Sequence, residues 1–441
     1  MFLNLNNSLL LQLEHSSFQF KWLFSSLVLR RNELGSFQNF STQNQTNNNN
    51  NRNLSILFYG SDNFSIESLH LLQTKLNENS KQQTNCKPLT KIKNLEVVTT
   101  SNNNQVYNYC KKADLPCHFF DKYTVPNNRF DLGVVSSFGR LIPKKSIESC
   151  SYGMLNVHGS LLPRWRGASP IQHAILYGDK VTGVTIMTVK PNRFDIGQIV
   201  RQRSIELLHR ITAQQLRQLM APVGAKLLWE CIEQLDYSIE TARDQPEEGV
   251  TLAPKLKESD GEIDWNRMDS WEIDRRYRAF VGSIGIYSQW IDGTQLRLFD
   301  VVDPDLVTRL QINNLSVRTG ITWPMPGLIF YHSKRHLLCV QSANGTWSAF
   351  RTLMLKNRKR MSALGFYNTF IRPFSKAYKL QNGQKPIFVL GNFVQTTHIL
   401  DSHQSSVDQV NDDLVDNVCH SRLHMVGVHN FGQLKLKLPI C

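Results

Sequence analysis

Residues 153–189 read GMLNVHGSLLPRWRGASPIQHAILYGDKVTGVTIMTV, and their periodicity decides the fold class. Gly153–His158 is a short apolar run of strand character. Ser169–Leu176 has helical spacing with Pro170 in its first turn, and Gly183–Val189 is a second strand-like run. Strand, helix and strand in succession predict βαβ units and a mostly parallel sheet, the mark of an α/β domain.

The pattern continues on both sides. Upstream, Leu54–Tyr59 (LSILFY) reads as a buried strand ended by Gly60, and Ile66–Leu72 as a helix. Residues 76–94 are polar and read as a loop. Leu95–Thr100, Cys117–Phe120 and Leu132–Ser136 read as strands, with a helix over Val106–Ala113. Downstream, Ala213–Leu235 is a long amphipathic helix. The α/β domain is therefore expected over 54–241. Residues 242–257 carry Pro, Gly and charge and read as a linker. After the helical stretch 271–280, short β-type runs (YSQWI, QLRLF, PGLIFYH, HLLCVQ, WSAFRTLML) predict a small β-barrel over 258–375, with an extension over 376–441.

The chain has 441 residues, which suits two or three domains. Its 41% hydrophobic content excludes a wholly disordered protein. None of its eight cysteines forms a C-x-x-C pair, so reduced thiols are expected rather than a zinc ribbon or a disulfide framework. No run of 18 apolar residues is present, and no membrane partner is expected. Residues 1–53 hold apolar runs, four basic residues and the Asn tract 47–51. They suit a mitochondrial transit peptide and a disordered linker; a secretory signal would place a basic residue ahead of Lys21.

Lys and Arg number 50 against 36 Asp and Glu, a net charge of +14. Thirteen of the cations fall between Leu306 and Leu400, a stretch with no acid at all; the densest part is Arg351, Lys356, Arg358, Lys359 and Arg360. One short basic cluster is usually a solvated face. Acid exclusion over 95 residues, on a barrel of the oligonucleotide-binding type, points instead to nucleic acid.

Asn156 and His158 lie two apart on a strand and so share a face, at the strand end where open α/β sheets place ligands. An amide and an imidazolium together can stabilise an oxyanion, and Asp195 can hold the histidine charged or accept a proton. A single strand histidine is more often structural, and Asn-x-His alone is weak; the three residues within SLLPRWRG and RFDIG contexts are a stronger signal.

NVHGSLLPRWRGASPIQHAI and TGVTIM closely resemble the folate-dependent formyltransferases, above all those of the mitochondrial kind that act on methionyl-tRNA. LFYGSDNF (57–64), DLGVVSSFGRLIP (131–143), PEEGVTLAPKL (246–256), PGLIFYH (326–332) and SALGFYNTFI (362–371) extend the resemblance over about 54–375. It implies a Rossmann-like catalytic domain followed by an OB-like barrel that holds tRNA. Asn156, His158 and Asp195 match the catalytic triad. Ser160, Leu161, Leu162 and Pro163 match a loop at the formylfolate site, and Phe138, Gly139, Arg140, Leu141 and Ile142 a segment whose backbone meets the pterin. The implied reaction moves a formyl group from 10-formyltetrahydrofolate to the α-amino group of charged initiator methionyl-tRNA, without a metal, in the mitochondrial matrix. A monomer is the family expectation.

Two departures stand out. Bacterial members carry an Arg/Lys-rich loop after the second strand, where this chain reads TTSNNNQV (99–106). Lys81, Lys87, Lys91 and Lys93 upstream, or Arg164 and Arg166 beside the triad, are candidate replacements, although the lysines also suit a solvated loop. The second is KPNRFD (190–195), where bacterial members are more acidic. Among lesser signals, residues 60–64 (GSDNF) are no dinucleotide fingerprint and read instead as a strand-end turn near the folate. Cys419, His420, His424 and His429 match no zinc-finger spacing and suit an unstructured tail, and Trp165 suits core packing. Two rival readings remain: a formyltransferase for a small amine, disfavoured by the thirteen cations, and an inactive RNA-binding protein, disfavoured by the intact triad.

Overall fold

A computed structural model describes residues 52–78, 90–312, 325–373, 375 and 390. The first half builds a seven-stranded sheet from β1 (Arg52–Gly60), β2 (Thr90–Thr99), β3 (Cys117–Phe119), β4 (Leu132–Ser136), β5 (Met154–His158), β6 (Val181–Thr188) and β7 (Ile199–Glu206). Their order is β3-β2-β1-β4-β5-β6-β7. The first five strands pair in parallel, whereas β6 and β7 join antiparallel. Helices α1 (Asn63–Glu78), α2 (Gln105–Ala113), α3 (Pro170–Leu176) and α4 (Ala213–Glu233) flank the sheet. Strand β4 is buried throughout and β5 nearly so, as expected of central strands covered on both faces.

Strand order reverses between β1 and β4. Open parallel sheets bind ligands at such a switch point, beyond the carboxyl ends of the strands. The chain leaves both strands there, at Ser61–Asp62 and at Ser137–Phe138.

The second half carries α5 (Ser270–Phe280) and strands β8 (Ile286–Gln289), β9 (Gln295–Val301), β10 (Ile329–His332), β11 (Leu337–Gln341), β12 (Trp347–Leu355) and β13 (Met361–Ser362). They pair antiparallel in the order β10-β11-β12-β9-β8, with β13 on β12. Among the described residues this sheet is open: β8 and β10 are not joined, and the expected barrel closure is not seen. The two halves meet through α3 and α5. Buried Asp274 on α5 receives Arg210 (2.7 Å) from one half and Arg278 (2.7 Å) from its own helix.

Several boundaries move from those expected. β1 begins at Arg52, inside the expected leader, where Arg52 pairs with Asp236. β2 begins at Thr90, so Lys91 and Lys93 are strand residues, not loop residues. Thr90 pairs with Arg52 at the amino-terminal end of the sheet. At about 3.3 Å per residue, these lysines stand roughly 20 Å or more from the carboxyl-terminal switch point. Lys81, Lys87, the 376–441 extension apart from Leu390, and the Cys/His patch lie outside the described residues. Strand β7 was not expected from sequence because it is an edge strand: Arg203, Ser204 and Glu206 face solvent and interrupt its apolar pattern. At the other edge, β3 has only three residues.

Candidate active site

Strand β5 aims Asn156 and His158 to one face at the carboxyl end of the sheet. Asp195 comes to them from the turn after β6. Asn156 Nδ2 donates to Asp195 Oδ1 at 3.3 Å, and His158 Nδ1 lies 3.5 Å from the same oxygen. The other carboxylate oxygen, Oδ2, accepts the backbone N–H of Gly167 at 2.9 Å. The structure thus brings together the three residues singled out by sequence.

His158 is buried, and its second nitrogen is committed. Nε2 lies 2.9 Å from the carbonyl oxygen of Trp165. A carbonyl only accepts, so Nε2 carries the proton of that bond. Nδ1 is then the edge facing Asp195 and the cavity. At 3.5 Å the Asp195 oxygen is beyond ordinary hydrogen-bond distance, which leaves Nδ1 open toward the cavity. Asn156 has a second amide N–H beyond the one given to Asp195.

The Asp195 turn is held under constraint. Asp195 has φ +54°, and a Cβ built on Gly197 would lie 1.6 Å from the Thr188 carbonyl oxygen. Only glycine permits the chain so close to β6.

These groups open into a cavity of about 430 Å³, within the range of small-molecule sites. Phe138, Gly139, Arg140, Leu141 and Ile142 all line it. Phe138 packs edge-on to Tyr59 and Phe120, with centroids 5.2 and 5.1 Å away, which fixes the wall. Sequence reading missed Arg217, whereas Asp62 falls in the 60–64 turn read as lying near the folate. They face the same cavity and pair at 3.1 Å across 155 residues, a separation that leaves no local signature.

Ser160, Leu161, Leu162 and Pro163, expected at the formylfolate site, are not among the residues that line this cavity. Their polar groups are spent internally: Ser160 Oγ donates to the Arg164 carbonyl (2.6 Å), and Leu162 N–H donates to Thr185 Oγ1 (3.1 Å). Leu162 packs with Met187 and Ile199. The loop supports the turn that carries Trp165 to His158.

The cations divide similarly. Arg164 forms a two-point pair with Asp179 (2.9 and 2.6 Å) and lies over the Trp165 ring, so its charge is used within the protein. Arg360 is held by Asp300 (2.7 Å) over the Phe299 ring. Both guanidinium groups are thus paired within the protein. Arg166 gives Nε to Gln245 Oε1 at 2.8 Å. Arg351, Lys356, Arg358 and Lys359 are exposed, the first on β12 and the others in the turn after it. Trp165 is buried against Ala174 and Ala253, as expected of a packing residue.

Residues 242–257 form no helix or strand, yet they are not a free tether. Arg166 N–H donates to the Thr251 carbonyl (2.9 Å), and Ala253 N–H donates back to the Arg166 carbonyl (2.7 Å). Thr251 Oγ1 accepts from Trp165 N–H at 2.8 Å. The segment expected as linker is bonded to the Trp165–Arg166 turn.

Comparison with known proteins gives the family. Residues 64–232 match the formyl transferase family and residues 255–370 the formyl transferase C-terminal domain family. The mitochondrial methionyl-tRNA formyltransferase of Bos taurus is 36% identical over 325 residues, spanning 72% of this chain and 78% of that protein. The chain belongs to the methionyl-tRNA formyltransferase family. The Homo sapiens mitochondrial protein of the same name is 35% identical over 331 residues, again 72% of this chain and 78% of that one. Among solved structures, an N-formyltransferase from Helicobacter canadensis in complex with folinic acid and dTDP-3-aminofucose superposes with a TM-score of 0.48. It is 15% identical, and the match spans 67% of this chain and 98% of that one. Within the methionyl-tRNA formyltransferase family, this chain keeps both the catalytic and the carboxyl-terminal domain.

Proposed function

We propose that this protein transfers a formyl group from 10-formyltetrahydrofolate to the α-amino group of methionyl-tRNA, supplying initiator formylmethionyl-tRNA in the mitochondrial matrix. The convergence of Asn156, His158 and Asp195 on one cavity carries this reading. The cavity's size and its lining by Phe138–Ile142 suit a fused heterocycle that needs both apolar contact and hydrogen-bond partners.

The chemistry follows from the donors. When the amine attacks the formyl carbon, charge develops on the formyl oxygen. The free Asn156 N–H and His158 Nδ1–H are the donors placed to meet it, each such donor being worth about 3–4 kcal/mol in comparable oxyanion sites. Asp195, one oxygen fixed by Gly167 and the other facing His158, keeps the ring in place and accepts the amine proton, directly or through water; the tetrahedral intermediate then collapses with cleavage of the formyl carbon–N10 bond, and N10 takes up that proton as tetrahydrofolate leaves.

RNA is engaged by the exposed cations Arg351, Lys356, Arg358 and Lys359, together with Arg166 beside the site. The test is direct. The purified full chain is incubated with 10-formyltetrahydrofolate and charged mitochondrial methionyl-tRNA, and formyl label is followed in acid-precipitable RNA. Label that depends on His158 supports the reading. RNA binding in low salt without label would leave only an RNA-binding role.

A further inference from the structure

We infer that Gln245 is a positioning residue for the catalytic carboxylate, holding the turn that presents Asp195. The inference rests on the formyl-transfer reading above and adds a residue to it.

Gln245 lies in the segment between the two domains, where the sequence suggests nothing but a tether. Its side-chain Nε2 donates to the backbone carbonyl of Asp195 (2.9 Å) and to that of Gly197 (2.8 Å). Its Oε1 accepts from Arg166 Nε (2.8 Å). A primary amide has two N–H groups and one carbonyl oxygen, and all of them are engaged. The two carbonyls belong to a turn without helix or strand that contains a left-handed Asp195. Such a backbone persists only where its surroundings over-determine it.

Gln245 is itself fixed. Two residues before it, Arg243 exchanges backbone bonds with Ile199 (2.7 and 3.0 Å); further on, Thr251 and Ala253 bond to Trp165 and Arg166. The amide therefore ties three separate stretches at one point: the Arg166 turn, the Asp195 turn and the inter-domain segment. Asp195 owes its distance from His158 to this tie as well as to the Gly167 N–H. An error of about 1 Å at such a distance is enough to cost 10²-fold in rate.

Two variants test the role. Gln245→Met keeps the length and removes all three bonds. Gln245→Glu keeps an acceptor for Arg166 but turns oxygens toward both carbonyls. Each should lower kcat roughly 10- to 100-fold while KM for 10-formyltetrahydrofolate stays within about threefold. In an Asp195→Asn background, adding Gln245→Met should cost less than about twofold, because the group being aimed is already changed. Full additivity of the two losses would overturn the inference, as would wild-type kcat in both single variants. Wild-type turnover is measured first, and its absence counts against the formyl-transfer reading alone. The positioning role is then read without catalysis, from the ring nitrogen resonances of His158: Gln245→Met should move them in the direction that Asp195→Asn does. Unmoved resonances would overturn it.

Discussion

The imidazole of His158 is oriented by the main chain of Trp165: Nε2 donates to the Trp165 carbonyl at 2.9 Å, leaving Nδ1 to the cavity. Because the anchor is a backbone atom, the indole is not needed for it. Trp165→Phe should keep kcat within a few-fold. It loses the indole N–H bond to Asp179 (2.7 Å), and thermal melting should record about 1 kcal/mol of lost stability. His158→Ala should lower kcat by about 10²- to 10³-fold with an unchanged circular dichroism spectrum. Equal losses in the two variants would contradict this account.

Gly197→Ala tests the turn from below. The added methyl meets the Thr188 carbonyl oxygen at 1.6 Å, a backbone atom that cannot rotate away. The turn must lift, taking Asp195 with it. We expect at least a tenfold loss of kcat and a lower melting temperature, the two measured on the same preparation.

How much of this was legible in sequence depends on the kind of contact. Asn156 and His158 announce themselves through the period of a strand, and Asp195 through its motif. The Trp165 carbonyl has no side-chain signature, and Gln245 acts across 50 residues, so neither could be found by periodicity. The packing of Ser160–Pro163 was not legible for a related reason: Leu162 N–H donates to the Thr185 hydroxyl, a tertiary contact that the local pattern does not encode. The α/β domain was read nearly element by element because its central strands are apolar runs. The charged edge strand β7 was not.

The exposed turn Lys356–Lys359 should govern RNA affinity through salt. Replacing Lys356, Arg358 and Lys359 by Ala should weaken RNA binding and flatten the plot of log affinity against log salt by up to about 0.7 for each phosphate left without its cation. Arg360→Ala should chiefly lower stability, since Asp300 and Thr352 lose a partner. Filter binding across a salt series separates the two effects.

Acid stability has a specific source in Glu96. Burial raises its carboxyl pKa, but bonds from Asn94 (3.1 Å), His118 (2.8 Å) and Arg129, with the Arg129 charge, outweigh that and hold it below the usual value. A carboxyl lowered in the folded state stabilises the protein above its unfolded pKa, and that stability is lost as pH falls through the folded value. Melting temperature should therefore decline below about pH 4, more steeply in wild type than in Glu96→Gln. Parallel pH curves would assign the loss elsewhere.

The margins of the seven-stranded sheet have a consequence for the protein in crowded solution. A sheet flank is a template on which another chain can crystallise into fibre. Here one flank is three residues long, and the other presents Arg201 and Arg203, both bonded to Glu230. A stray strand approaching either side finds too few rungs or a ring of fixed charge. The long apolar strands that position the site can therefore remain at the centre of the sheet without making the enzyme prone to aggregate.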